Sequence, residues 1–360
     1  MYLKKVLNTI IKGDTVEELK KIPTESIDFI FADPPYFMQT EGELLRTDGT
    51  KFNGVEDEWD KFDSFYEYDN FCNNWLKECK RILKKDGSIC VIGSFQNIFR
   101  IGYLMQNLEF WIINDIIWNK SNPVPNFSGT RLCNSHETMI WCSKNKKSKI
   151  TFNYKTMKHL NDGKQEKSVW NIPVCNGNER LKDTNGNKLH STQKPEKLLY
   201  KIILASTKPN DVILDPFFGT GTTGAVAKQL GRNYIGIEKE EKYIEGAKIR
   251  INQKEVIIDK ISNLELETKP PKVPMKKLLE NGYIQKGQKL YSRDKKQFCE
   301  ILESGNVFDG IEELSIHKMS AKFLNKKNNN GWNYFFLNYN GKYTELDKLR
   351  YLYVEENDAK

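Results

Sequence analysis

The sequence lacks three features that would each identify a common class of protein. It has only four histidines, and they are dispersed, so no metal site is visible. Its seven cysteines form no C-x-x-C pair, and contexts such as Cys90 in SICVIG and Cys142 in MIWCSK favour reduced thiols in a core. No run approaches ~18 apolar residues, and the first residues, MYLKKVLNTIIKGD, lack the apolar region of a signal peptide. We therefore expect a cytoplasmic protein without disulfides or bound metal.

The composition is that of a globular chain with a basic balance. Its 360 residues include 56 lysines and arginines against 48 acids, which gives a formal charge of +8, and 12% are aromatic. This length accommodates a large α/β domain and a smaller one. The positive charge permits a nucleic-acid partner without requiring one.

Strand-like and helix-like segments alternate over the first two-thirds of the chain. Residues 69–87 carry apolar side chains at helical spacing, with Asp69 as a cap and Gly87 at the end. The other segments are predicted strands at 26–32, 88–93, 111–118, 138–142, 212–215 and 233–238, and predicted helices at 194–207 and 222–230. This alternation predicts a mostly parallel sheet.

Two breaks in this pattern predict the domain organisation. Between residues 119 and 189 the periodicity fails and Asn, Gly, Lys and Pro accumulate, so we expect an insertion that does not complete the sheet. The prolines of residues 267–274, ETKPPKVP, indicate an extended linker. We therefore expect a catalytic domain at 1–266, the linker, and a small domain at 275–360.

The stretch FIFADPPYFMQ, residues 29–39, ends an apolar strand with an acid and two prolines. Proline has no amide donor, so Asp33-Pro34-Pro35-Tyr36 cannot extend a central strand and forms a rigid corner. The corner presents a carboxylate, carbonyl groups and an aromatic ring, which suits a planar ligand that carries an amino group. A stiffened turn alone would explain the prolines but neither Asp33 nor Tyr36.

A second motif, DPFFGTGTTG at residues 215–224, follows a strand and opens a helix. Its glycines fit the G-x-G-x-x-G pattern, and Glu238 ends the next strand, where an acid would meet ribose hydroxyls. No lysine follows the second glycine, so this is not a P-loop. A simple packing turn would explain the glycines but not Asp215 and Glu238 at two strand ends. A nicotinamide or flavin dehydrogenase is a rival, although such enzymes usually carry the fingerprint on their first strand.

Together the two motifs resemble the amino-methyltransferases of DNA, and their order, DPPY first, resembles the beta class. Longer segments extend the similarity across essentially the full chain: RTDGTKF, DEWDKFDSF, GSFQNIFRIG, SNPVPNFSGTR, HSTQKPEKLLYKIILASTKPNDVILDPFFGTGTTGAVAK, SIHKMSAKFLN and NNNGWNYFFL. The chain resembles the adenine-N6 methyltransferases of the HinfI and cell-cycle-regulated type, which modify GANTC.

This resemblance implies the fold, the reaction and the partners. The fold would be a Rossmann-like α/β methyltransferase domain with permuted motif order, residues 119–189 serving target recognition, and a small C-terminal DNA-binding domain. The enzyme would transfer a methyl group from S-adenosyl-L-methionine to N6 of a flipped adenine in double-stranded DNA. A homodimer and a cognate restriction endonuclease are the further expected partners, and no membrane or metal is expected.

The resemblance also assigns residues to three parts of the site. The catalytic residues are Asp33, Pro34, Pro35 and Tyr36. The cofactor residues are Asp14, Asp33, Thr192, Lys194, Asp215, Phe217, Gly219, Thr220, Gly221, Thr222 and Glu238. The DNA-binding residues are Arg46, Asn126, Arg131, Ser315, Lys318, Asn330 and Trp332.

Several alternatives stay open at this point. Asp14 could be a helix cap, Lys194 a solvated helix start, and Trp332 a buried core residue. Many adenine-specific members have Asn after the DPPY tyrosine, whereas this chain has Phe37. Cytosine-N4 methylation, whose usual motif has serine in place of Asp33, and a DNA-binding protein without activity are the remaining alternatives to adenine methylation.

Overall fold

The computed structural model describes residues 2–38, 44–45, 51–52, 60–126, 129–257 and 271–358. It divides into two compact units, Met1–Glu267 and Thr268–Lys360. In these described ranges no helix combines the length and apolar character needed to cross a membrane.

The first unit contains a large sheet covered by helices. Its helices are α1 Tyr2–Val6, α2 Thr15–Lys21, α3 Phe65–Ile82, α4 Ile98–Asn107, α5 Tyr154–Leu160, α6 Glu196–Ser206, α7 Thr222–Gln229 and α8 Glu241–Asn252. Its strands are β1 Thr9–Lys12, β2 Ile27–Ala32, β3 Leu44–Leu45, β4 Lys51–Phe52, β5 Leu83–Gly93, β6 Trp111–Lys120, β7 His136–Ser143, β8 Val169–Ile172, β9 Val212–Asp215 and β10 Asn233–Glu238.

The large sheet has eight strands in the order β1-β10-β9-β2-β5-β7-β6-β8. The pairs from β1 to β5 are all parallel, β7 is antiparallel to both β5 and β6, and β8 pairs parallel with β6. The mostly parallel sheet is therefore confirmed. Because β7 runs in the opposite direction, its first residues lie at the edge where β2, β9 and β10 end.

Side-chain alternation along β2 explains why both faces of the sheet are covered. Ile30 and Ala32 pack in one hydrophobic cluster with Trp75 of α3, whereas Phe29 and Phe31 pack in a second cluster on the other face. A strand buried on both faces is apolar throughout, as parallel sheets require. The apolar run before Asp33 thus places the DPPY corner at the end of a central strand.

The expectation that residues 119–189 do not complete the sheet is wrong, because β7 and β8 both belong to it. Met139 and Trp141 of β7 and Trp170 of β8 are buried, and this burial outweighs the polar composition of the surrounding loops.

The helix expected at residues 69–87 begins and ends earlier, at Phe65–Ile82. Ser64 is its cap, since the Ser64 hydroxyl accepts a hydrogen bond from the Glu67 amide. The Asp69 carboxylate instead accepts from Arg100 at 2.6 Å, and the residues after Ile82 start β5.

All seven cysteines are free thiols, and six of them are buried. Cys133 is exposed, so the expectation of core thiols is wrong for this residue. Its loop contains no apolar strand that would bring it into the core.

In the residues that the structure describes, the second unit is an antiparallel sheet with four helices. The helices are α9 Met275–Glu280, α10 Ile316–Phe323, α11 Gly331–Tyr334 and α12 Leu346–Asp358, and the strands are β11 Lys289–Ser292, β12 Phe298–Ile301, β13 Val307–Phe308, β14 Glu313–Leu314, β15 Phe335–Tyr339 and β16 Lys342–Glu345. The strand order is β14-β13-β12-β11-β15-β16. The buried apolar side chains of this unit form a hydrophobic core made only of residues from the unit itself.

Part of the expected linker belongs to this second core. Val273 is buried in it, and the Pro271 carbonyl accepts a hydrogen bond from Arg350. The apolar side chain of Val273 explains why residues 271–274 pack against the unit, while residues 267–270 lie outside the described residues.

Trp332 is also a core residue of this unit, with 7% of its surface exposed. The Arg350 guanidinium lies 4.2 Å from the centre of its ring and pairs with Asp347 as well. The buried alternative is therefore correct, and the indole does not offer a face on which a DNA base could stack.

We expect Trp332→Ala to destabilise the second unit by ~3–5 kcal/mol, because it leaves a large cavity in a small core. Ile311→Ala is the matched control, since Ile311 is 82% exposed, and it should change stability little. Calorimetric melting of the full-length variants measures both effects. Equal melting profiles for the two variants would contradict the packing role of Trp332.

Candidate active site

A cavity of about 520 Å³ lies where β1, β2, β9 and β10 end. It collects residues from distant segments because parallel strands end at the same edge of a sheet. The residues expected in the site that line it are Asp14, Asp33, Pro34, Pro35, Tyr36, Thr192, Lys194, Asp215, Phe217, Gly219, Thr220, Thr222 and Glu238. The DPPY corner and the glycine loop thus share one cavity, and β2 and β9 are neighbours in the sheet.

The Asp33 carboxylate is held by two donors. Lys194 Nζ donates to Asp33 Oδ2 at 2.8 Å, and the Tyr36 hydroxyl lies 2.9 Å from Asp33 Oδ1. Burial raises the pKa of Asp33, although Lys194 opposes the rise. Burial lowers the pKa of Lys194, but the charges of Asp33 and Glu137 outweigh burial and raise it overall. Lys194 is buried, so the alternative of a solvated helix start is wrong.

Glu137, which the sequence analysis did not identify, lies beside this pair. Its Oε2 atom is 3.1 Å from the Tyr36 hydroxyl, and its Oε1 atom accepts from Lys120 Nζ at 2.7 Å. Burial raises the pKa of Glu137, but the Lys194 and Lys120 ammonium groups outweigh it and lower the pKa overall. The sequence could have indicated Glu137 only if the antiparallel direction of β7 were known, because that direction places the start of β7 at the edge where β2 ends.

Asp60, also missed, fixes the backbone that follows the corner. Its carboxylate accepts from the amides of Tyr36 at 2.5 Å, Phe37 at 2.8 Å and Met38 at 2.9 Å. Phe37 has a left-handed φ of +50°, a conformation that asparagine adopts more readily than phenylalanine. The three hydrogen bonds to Asp60 hold this conformation. The sequence signal for Asp60 was the segment DEWDKFDSF. The sequence analysis matched this segment to the family but assigned no role to its acidic residues.

The Phe37 ring occupies an aromatic cluster behind the corner. Its centre lies 5.6 Å from that of Phe62, 5.1 Å from that of Phe65 and 5.7 Å from that of Tyr68. These contacts explain how an aromatic side chain is accommodated where asparagine is more usual.

The acids at the ends of β9 and β10 organise the glycine loop. Asp215 Oδ1 accepts from the Phe217 amide at 2.9 Å, and Glu238 Oε2 accepts from the Gly219 amide at 2.7 Å. Burial raises the pKa of Asp215 to about 7, against the hydrogen bonds from Thr223 and Phe217. Burial likewise raises the pKa of Glu238.

The two loop glycines have different roles. Gly219 lines the cavity with φ +49°, and a Cβ there would lie 3.3 Å from His190 Nε2. Gly221 is not among the described residues that line the cavity. It has φ +73°, and a Cβ there would lie 2.6 Å from Ala247 Cβ. The turn and the close packing on α8 explain why glycine is needed here, and its contact with the cofactor stays a prediction.

Asp14 fits both interpretations that the sequence left open. Its Oδ1 atom accepts from the amides of Val16 and Glu17, so it caps α2, and the residue also lines the cavity.

No group of three or more potential metal ligands occurs in the part of the chain that the structure describes.

Neither Asn126 nor Arg131, both expected in DNA binding, is among the described residues that line the cavity. In the first unit, Asn126 Nδ2 donates to the Arg131 carbonyl at 2.9 Å, and the Arg131 guanidinium lies 5.7 Å from the centre of the Phe95 ring. Arg46 lies outside the described residues.

Most of the residues of the second unit that were expected to bind DNA instead make contacts that stabilise this unit. Ser315 caps α10, and Asn330 caps α11 by accepting from the Trp332 amide. Lys318 has an exposed side chain. Of these residues, Lys318 is therefore the best placed to reach a phosphate.

Comparison with known proteins assigns both units. Residues 27–249 match the family model described as DNA methylase, and residues 258–359 match the model described as Restriction Enzyme Adenine Methylase Associated. The chain is 67% identical over 350 residues to the type II methyltransferase M.HinfI of Haemophilus influenzae, covering 97% of this chain and 98% of that one. It is 44% identical over 253 residues to the type II methyltransferase M2.LlaDCHI of Lactococcus lactis subsp. cremoris, covering 70% of this chain and 92% of that one.

Solved structures support the same assignment. The complex of M1.HpyAVI with SAM has a TM-score of 0.51 and 27% identity, covering 68% of this chain and 98% of that one. The cytosine-N4-specific PvuII DNA methyltransferase has a TM-score of 0.53 and 22% identity, covering 71% of this chain and 90% of that one, and confirms the fold. The family match favours methyl transfer over the dehydrogenase alternative. The chain therefore belongs to the DNA methylase family.

Proposed function

We propose that this DNA methyltransferase modifies N6 of adenine within GANTC in duplex DNA. The observation that carries the proposal is the Asp33 carboxylate, whose side chain is 18% exposed, beside Pro34 at the wall of the cavity. The GANTC context follows from the resemblance of the whole chain to the HinfI type.

The corner activates an exocyclic amino group by hydrogen bonding. The lone pair of adenine N6 is delocalised into the ring, so the free amine is a poor nucleophile. Asp33 and the Pro34 carbonyl accept the two N6 protons and localise that lone pair. The Pro35 carbonyl already accepts from the Tyr68 hydroxyl at 2.8 Å, whereas no described residue donates to the Pro34 carbonyl.

Tyr36 orients the target base. An adenine inside a stacked duplex cannot reach the corner, so the base is flipped into the cavity at a cost of a few kcal/mol. Contacts of the Tyr36 hydroxyl with Asp33 and of its amide with Asp60 fix the ring against which the base stacks. Alignment then supplies much of the acceleration. A cysteine nucleophile is not required, and burial raises the pKa of Cys175 to about 11.

The cofactor is S-adenosyl-L-methionine, which supplies an electrophilic methyl group when bound. A cavity of about 520 Å³ suits such a ligand, and the acids at the strand ends suit its amine and hydroxyl groups. We assign Asp215, Phe217, Gly219 and Thr220 to the methionine end, Glu238 to the ribose, and Asp14 to the adenine edge. Thr192 and Thr222 complete the wall, and Lys194 links this side of the cavity to Asp33.

We assign DNA contacts to both units. In the first unit these are Asn126 and Arg131, together with Arg46. In the second unit exposed Lys318 contacts the backbone, where a lysine neutralises a phosphate without reading sequence. The enzyme would act in the bacterial cytoplasm, where the chromosome lies, as a homodimer and beside a cognate restriction endonuclease.

Sequencing of DNA from a host that lacks adenine methylation but expresses this protein tests the function. We expect methylated adenine in GANTC. Methylated cytosine, or adenine methylated in another context, would contradict the corresponding part of the proposal.

We expect Asp33→Asn to lower the methylation rate by at least ~100-fold, because a neutral amide polarises the amino group weakly. Binding of S-adenosyl-L-methionine should stay nearly unchanged, since Asp14, Asp215 and Glu238 remain. Asp28→Asn is the matched control. Asp28 lies at the other end of β2 and pairs with Lys84. Near-normal turnover of Asp33→Asn would refute the catalytic assignment.

The affinity for S-adenosyl-L-methionine should rise with pH up to about 7. Burial raises the pKa of Asp215 to about 7, so below that pH the carboxyl is protonated and cannot pair with the amino group of the cofactor. The dissociation constant should fall by roughly tenfold per pH unit between about pH 5.5 and 7, where that amino group stays charged. Titration calorimetry measures this slope, and Asp215→Asn should flatten it. The same slope in the variant would assign the titration to another group.

A further inference from the structure

One phenolic hydroxyl lies between two partly buried carboxylates. The Tyr36 oxygen is 2.9 Å from Asp33 Oδ1 and 3.1 Å from Glu137 Oε2, and both distances are those of hydrogen bonds. A hydroxyl carries one proton, so it can donate to only one of the two acceptors at a time. Rotation of the O–H bond alone exchanges the acceptor, without movement of any heavier atom.

The surroundings of Glu137 keep it ionised and fixed. Its carboxylate accepts from Lys120 Nζ at 2.7 Å and lies 3.7 Å from Lys194 Nζ. The side chains of Glu137, Lys120 and Lys194 are 12%, 15% and 6% exposed. Two ammonium groups thus balance the two carboxylates, which removes the penalty of an unpaired buried charge. The Trp118 ring lies under Lys120, with its centre 5.3 Å from Nζ.

The direction of the strands explains this arrangement. Glu137 pairs with Trp118 in the antiparallel register of β6 and β7, so the start of β7 meets the end of β6, where Lys120 lies. The same edge carries Asp33 after β2. Neither Glu137 nor Lys120 lines the described part of the cofactor cavity, and Glu137 contacts the lining residues Tyr36 and Lys194.

The number of hydrogen bonds that the Asp33 carboxylate already accepts decides how strongly it can polarise a target amine. With Tyr36 on Oδ1 and Lys194 on Oδ2, both oxygens already accept a hydrogen bond, and each donor withdraws charge from the carboxylate. We propose that Glu137 is a positioning residue for methyl transfer: it accepts the Tyr36 hydroxyl when the target base enters, which leaves Asp33 Oδ1 to the amino group of that base. This inference rests on the proposed adenine-N6 activity and extends it.

The first test is Glu137→Gln, measured by single-turnover methylation of a GANTC duplex with enzyme and cofactor in excess. A neutral amide competes weakly with ionised Asp33 for the hydroxyl proton, so transfer should slow by roughly 10- to 100-fold. Dissociation constants for S-adenosyl-L-methionine and for the duplex should change less than about threefold. A rate equal to that of the wild-type enzyme would overturn the inference.

Glu166→Gln is the matched control. Glu166 pairs with Lys201 at 2.9 Å, with side-chain exposures of 13% and 22%, and Lys201 lies 4.7 Å from the centre of the Trp170 ring. The arrangement has the same three residue types as the Glu137 site but has no contact with Tyr36. An equal rate loss in this control would show that any broken buried ion pair has the effect, and would overturn the inference.

A double-mutant cycle separates positioning from general structural damage. In the Tyr36→Phe background no hydroxyl proton remains to be redirected, so adding Glu137→Gln should slow transfer by less than about threefold more. A full additional loss in that background would overturn the inference. Wild-type enzyme that methylates cytosine instead of adenine would overturn the proposed function, whereas adenine methylation with additive effects would overturn only the role of Glu137.

If Glu137→Gln does not fold, Lys120→Gln combined with Glu137→Gln removes both charges and leaves no unpaired partner. The folded double variant should show the same rate loss, with unchanged cofactor affinity. Wild-type turnover in that variant would overturn the inference.

Discussion

The buried ion pair between Asp33 and Lys194 is the interaction on which the site depends. It joins the end of β2 to the residue before the Pro195 cap of α6, across 161 positions of sequence. A charge buried without a partner costs several kcal/mol, so neither residue can be buried at this edge without the other. The pair therefore connects the DPPY corner to the wall of the cofactor cavity. Glu137 and Lys120 extend it into a row of alternating charges that balances overall.

Rigidity of the corner comes from several weak constraints acting together. Two prolines restrict the backbone on one side, and three amides bound to Asp60 restrict it on the other. Phe37 keeps a left-handed conformation that costs a non-glycine residue of the order of 1–3 kcal/mol. A conformation with such a cost persists only where the surroundings hold it in place. The aromatic cluster around Phe37 does so here. The acceptor atoms of the corner are thus held in place before any base arrives.

In the second unit, sequence similarity to related enzymes does not by itself identify the residues that contact DNA. Its segments match those of related enzymes, yet Ser315 and Asn330 cap helices and Trp332 fills the core. Residues can recur in a family because the small domain needs them to fold. The surface of that domain, with exposed lysines such as Lys318, is where a DNA contact is to be sought.

The sequence by itself determined the features that depend on neighbours along the chain. The apolar run before Asp33, the two prolines and the glycine turn before α7 are local signals, and they were sufficient to predict the strand ends and the mostly parallel sheet. Gly221 was recognised as necessary, and the structure adds close packing on Ala247 as a reason.

Only the tertiary structure decided which side chains complete the site. Glu137 reaches Tyr36 because β7 is antiparallel, and strand direction is set by pairing between distant segments. The residues 119–189 join the sheet because burial of Met139, Trp141 and Trp170 outweighs the polar composition of their loops. Asp60 is a charged residue of ordinary appearance in the sequence, and its role follows from burial beside Tyr36, 24 positions away. Lys194 was expected at the cofactor, but its pairing with Asp33, 161 positions away, was not. Long-range burial and pairing of this kind leave no periodic signal in a single sequence.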